Sequence, residues 1–137
     1  MKRKYESGTR WCAWRWTEVR WEGLLYLVRL HLVKAPSWAV MLHWILRPDP
    51  HPDPHDHPVP FLSIVLRGGY TEWTPAGLVR RRVRWIGTDS VHRIVEVDPG
   101  TVTLAINGRA RTDRPWGFHT PQGFVPWREY RAGRIEA

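Results

Sequence analysis

A chain of 137 residues, 42% hydrophobic and 25% charged with ten tryptophans, has the composition of a folded domain rather than a disordered one, and it is long enough to bury a core. Its longest apolar run, "GLLYLV", falls far short of the ~20 residues that a membrane-spanning helix needs. The single Cys12 excludes an internal disulfide and suits a reducing, cytoplasmic setting, while the net charge of +8 favours anionic partners without indicating a fold.

Residues 1–10 read as a ragged leader ahead of a single domain, 1–137. Residues 11–23 are the one stretch that could form a short helix. "LLYLVRLHLV" (24–33) and "WAVMLHWIL" (38–46) are rich in branched apolar residues and read as buried strands separated by Pro36. A Pro/Asp/His segment follows Pro48. Next comes "FLSIVLRGGYTEW", where Gly68-Gly69 predicts a hairpin between two strands. "LVRRRVRW" (78–85) reads as one basic strand with Arg80, Arg82 and Arg84 on a shared face. It could line an anion site or form a charged, solvated edge. "HRIVEV", "TVTLAIN" and "PWGFHT" complete the set, with Asp98-Pro99-Gly100 and Asn107-Gly108 as turns, and "WREY" packs the C-terminus back on the domain. About eight strands with regular turn signals predict an all-β antiparallel sandwich or barrel.

"PDPHPDPHDHPVPF" (48–61) carries three histidines. Side chains alternate along an extended segment, so His55 and His57 point the same way and Asp56 points elsewhere. Two imidazoles aimed at one point can grip a metal ion, and a third ligand must come from another strand. His92, at the start of "HRIVEV", is the best candidate, with His119 a weaker alternative. His31 and His43 lie in apolar runs and should be packed or hydrogen-bonded, and His51 should be solvated in its Pro/Asp loop. The opposing reading is a polar loop flanked by prolines.

"PHDHPVPFLSIVLRGGYTE" and "GTDSVHRI" resemble the two conserved motifs of the cupin superfamily over residues 40–106, and more narrowly small cupins of actinobacteria and their phages. The resemblance implies an antiparallel jelly-roll β-barrel with a metal held inside by His55, His57 and His92. Many cupins have a glutamate four or five residues beyond the His pair, where this chain has Phe61 and Leu62. Glu72 would have to substitute for it from a neighbouring strand. A three-histidine set implies a divalent ion, with iron(II) favoured and zinc, nickel, copper or manganese open. Asp56 and Asp89 are candidate outer acceptors for the imidazoles. Arg67 or Arg93 could hold an anionic substrate. Trp73, Trp85 and Trp116 could line the mouth, and Tyr70 could offer a hydroxyl there. The leading expectation is a metal-dependent enzyme acting on a small molecule, most plausibly an iron(II) dioxygenase. A metal-bearing small-ligand sensor is the alternative, and nucleic-acid binding through the basic surface is the weakest reading. A homodimer is expected by analogy alone.

Overall fold

A computed structural model describes residues 11–136, with side chains described for residues 15–133. The leader 1–10 and the side chain of Cys12 lie outside these limits. Among the described residues, no helix is long and apolar enough to cross a membrane.

β1 (Trp11–Trp21) and β2 (Leu24–Lys34) form a hairpin, so residues 11–21 are strand and not the short helix allowed for above. Exposure along Arg15–Trp21 follows a period of nearly two, which suits a strand. The two-residue turn has positive φ at both Glu22 and Gly23, the arrangement whose twist matches paired strands. β3 (Ala39–Ile45), β4 (Phe61–Arg67), β5 (Tyr70–Thr74), β6 (Gly77–Val79), β7 (Val83–Ile86), β8 (Arg93–Val97), β9 (Thr101–Asn107), β10 (Gly117–Thr120) and β11 (Gly123–Pro126) follow, then α1 (Trp127–Glu136). One layer is the six-stranded sheet β1-β2-β3-β9-β4-β7. The other contains β6-β5-β8 and β10-β11. His55 joins these two pieces through single antiparallel bridges to His92 on one side and Phe118 on the other.

Two apolar clusters hold the layers together. Ile45, Val65 and Tyr70 pack with Leu27, Ile94 and Val97 at one end. Trp21, Phe118 and Tyr130 pack with Tyr26, Trp116 and Trp127 at the other. The Tyr130 ring stacks on Phe118 at 3.8 Å, so the C-terminal "WREY" does close back on the sheet, as a helical turn.

Two turns do something the sequence did not announce. β4 and β5 belong to different sheets, so Gly68-Gly69 is a corner between layers and not a hairpin turn. Gly68 has φ +71°, and a Cβ there would lie 2.5 Å from Thr101 Oγ1. The Thr101 hydroxyl accepts from Gly69 N at 3.1 Å, which fixes the corner. The expected strand 78–85 is also broken. β6 and β7 lie in different sheets, with residues 80–82 crossing between them. Its arginines therefore share no face: Arg80 pairs with Asp98 on the surface, and Arg84 turns inward.

Candidate metal centre

The Pro/Asp/His segment is threaded between β8 and β10 as an irregular strand. Prolines lack an N–H and cannot sustain a ladder, but the remaining donors are well used. His55 N donates to His92 O at 2.9 Å, and His92 N returns the bond to His55 O at 3.0 Å. Asp56 N donates to Gly117 O, and His119 N donates to Pro54 O. Asp49 reaches across to β8, accepting from Ile94 N at 2.8 Å. The segment is therefore part of the second layer rather than a solvated loop.

This pairing puts His55 and His92 side by side and leaves His57 one alternation further on. One ring nitrogen from each of His55, His57 and His92 lies within 4.8 Å of the other two, the only such three-residue group among the described residues. His57 Nε2 and His92 Nε2 are 3.0 Å apart. Two nitrogens each about 2.1 Å from one ion and at right angles to each other would be about 3 Å apart, so this edge already has coordination dimensions. The Nδ1 atoms of His55 and His57 are buried without a hydrogen-bond partner. An unsatisfied buried polar atom costs about 1–3 kcal/mol. Burial, then the neighbouring imidazoles, push His55 and His57 well below the ordinary histidine range. Both rings are thus neutral near pH 7, as a metal ligand must be. The three histidines could hold a metal ion.

Glu72 is the residue whose role changes most. It is 1% exposed, and its Oε1 accepts from His92 Nδ1. Its Oε2 accepts from Arg84 Nε at 2.8 Å. Burial raises the Glu72 carboxyl, but the bonds and charges of His92 and Arg84 outweigh it and hold the group ionised below its usual value. The carboxylate fixes the His92 tautomer so that Nε2 presents a lone pair, the outer-sphere arrangement common around metal-bound imidazoles. Asp56 does not fill that role. It is fully buried on the opposite side, where it accepts from Gly117 N, Arg114 and His119 Nε2. Asp89 is exposed on Arg111. His119, committed to Asp56, stands outside the three-histidine group.

His51 is 4% exposed, not solvated: its ring packs against Phe118 at 4.8 Å and His55 at 5.2 Å. Apolar neighbours from β1 and β10, distant in sequence, close over it. His31 bonds to Thr17, whereas His43 Nε2 is buried with no partner. Arg67 is exposed and tethered to Gly100 O at 2.8 Å, and Arg93 braces the loop through His51 O. Neither guanidinium is turned to the histidines. Trp73 and Trp85 are 40% and 60% exposed because they alternate with inward-facing Glu72 and Arg84. Only Trp116 of the expected aromatic wall comes near, 6.1 Å from the His55 ring. Tyr70 does face inward, with its hydroxyl 3.1 Å from Ser63 Oγ. A surface cleft of about 310 Å³ is lined by Gly68, Gly69 and Arg80–Arg82 but by none of the three histidines.

No family model matches the chain, and no curated protein matches it significantly. Solved structures do. A cupin-2 domain from Rhodospirillum rubrum aligns at TM-score 0.59 and 14% identity, over 89% of this chain and 86% of its own. The fold is that of the cupins. Two further neighbours carry functional descriptions. Pac13, a nucleoside dehydratase from Streptomyces, aligns at TM-score 0.52 and 12% identity, over 94% of this chain and 98% of its own. HppE in its Fe(II) form aligns at TM-score 0.52 and 16% identity over 69% of this chain. This chain spans 56% of the HppE chain. Identities this low establish the fold alone.

Proposed function

We propose that this cupin is a metal-dependent enzyme acting on a small anionic molecule, with a three-histidine iron(II) dioxygenase as its specific form. The observation that carries the proposal is the convergence of His55, His57 and His92 between the layers, with Glu72 aligning His92. Three neutral imidazoles leave a divalent ion its full charge and open coordination positions, and iron(II) there would supply redox chemistry toward dioxygen. The chain's own part is to hold that face. Glu72 and Arg84 keep His92 in one tautomer, burial keeps His55 and His57 unprotonated, and Trp116 walls the His55 side. The Fe(II) form of HppE supports iron on this fold by analogy.

The test is anaerobic loading with iron(II), followed by oxygen uptake and product detection over a panel of thiols, diketones and 2-oxo acids. Turnover with iron and not zinc supports the oxygenase. Tight ligand binding with no product on any metal supports the sensor reading instead. Absence of stoichiometric metal by elemental analysis after loading defeats both.

A further inference from the structure

One charged side chain between the layers has no counter-charge. Arg29 lies on β2 between Leu27 and His31, which both face inward. It is paired in register with His43 on β3, itself opposite the buried Thr103 on β9. Arg29 Nε is buried without a partner, and the guanidinium makes no hydrogen bond or ion pair among the described residues. His43 Nε2, alongside, is equally unpartnered. The positive charge of Arg29 is also felt at His43. The buried carboxylates that could neutralise it are engaged elsewhere: Glu72 with His92 and Arg84, Asp49 with Ile94 N. A buried Nε–H with nothing to bond is costly, and a half-buried arginine that keeps one is poised for an anion. Arginine's planar fork suits a carboxylate or similar oxyanion.

We propose that Arg29 and His43 form an anion subsite on the inward face of the six-stranded sheet, and that it receives the carboxylate or oxyanion end of a small ligand. The proposal deepens the functional reading above, yet the subsite can be tested with or without metal. Glycolate and its uncharged isostere glycolamide are titrated by calorimetry into metal-free and iron-loaded protein, for wild type and for Arg29→Met. Wild type should bind glycolate in both forms, and Arg29→Met should weaken glycolate at least tenfold while leaving glycolamide within twofold. Metal content should be unchanged in the variant, which separates failure of the subsite from failure of the metal centre. Thermal melts give a second readout. Arg29→Met should melt no lower than wild type without ligand, and glycolate should stabilise wild type alone. A variant that keeps wild-type glycolate affinity, a wild type that ignores glycolate, or a large loss of stability in Arg29→Met overturns the assignment.

Discussion

Glu72 holds His92 from behind: the carboxylate accepts from Nδ1 while Nε2 faces His57 at 3.0 Å. The two residues come from paired strands, β5 and β8, where a register shift between Thr71 and Glu72 sets the carboxylate opposite Ile94 rather than one residue away. Orientation of the third histidine therefore depends on a buried acid that is not itself in the ligand group.

Glu72→Gln retains the shape and removes the charge. Metal affinity is expected to fall about 10–100-fold, as for other outer-sphere partners of metal-bound imidazoles. Competition titration against a chromophoric chelator measures it. Affinity within twofold of wild type would mean that Glu72 serves only to neutralise Arg84.

The three ligand candidates can be separated from their neighbours by metal content. His55→Ala, His57→Ala and His92→Ala should each reduce bound metal from about one equivalent to below about a tenth. His119→Ala should keep it, because His119 is bonded to Asp56 on the far side of the segment. Elemental analysis of the four purified variants decides.

Asp56 stands between two ligand candidates in sequence but works as an anchor. Its carboxylate holds Gly117 N at 3.0 Å and Arg114 at 2.7 Å. Asp56→Asn should lower stability on the order of 2 kcal/mol by weakening charge-assisted bonds at a fully buried site. Urea unfolding of the metal-free protein measures the loss, and metal stoichiometry at low temperature should hold.

Gly68→Ala tests the corner between layers. Left-handed backbone costs an alanine about 1–2 kcal/mol, and the added methyl would meet Thr101 as well. A melting point at least about 5 °C lower is expected.

His43 sets a pH dependence of stability. Burial, with the charge of Arg29 beside it, lowers its folded pKa to about 3, against about 6.5 in the unfolded chain. The unfolded state therefore takes the proton first. Stability is intact above pH ~6.5 and declines as pH falls toward 3. His43→Leu should reduce the stability lost between pH 7 and pH 4 by on the order of 2 kcal/mol. Denaturant titrations of both proteins at the two pH values provide the comparison.

The sequence alone determined that this is a strand-rich chain with a metal-type histidine pair. Val, Ile, Leu and Trp runs punctuated by Pro and Gly indicate strands, and "HDH" on an extended segment sends His55 and His57 one way and Asp56 the other. These are local signals, carried by spacing over a few residues. The tertiary structure decided which face became the inside and what lay across from it. Gly68-Gly69 looks like a hairpin turn until β4 and β5 prove to belong to different layers. His51 looks solvated until Trp21, Tyr26 and Phe118 close on it. Arg67 and Arg93 lie near the motifs in sequence yet bond to backbone carbonyls, whereas Arg29, a lone charge in an apolar strand, points between the layers. Register between strands tens of residues apart is set by how the whole apolar surface packs. Glu72 could therefore be paired with His92, and Arg29 with His43, only by the folded chain.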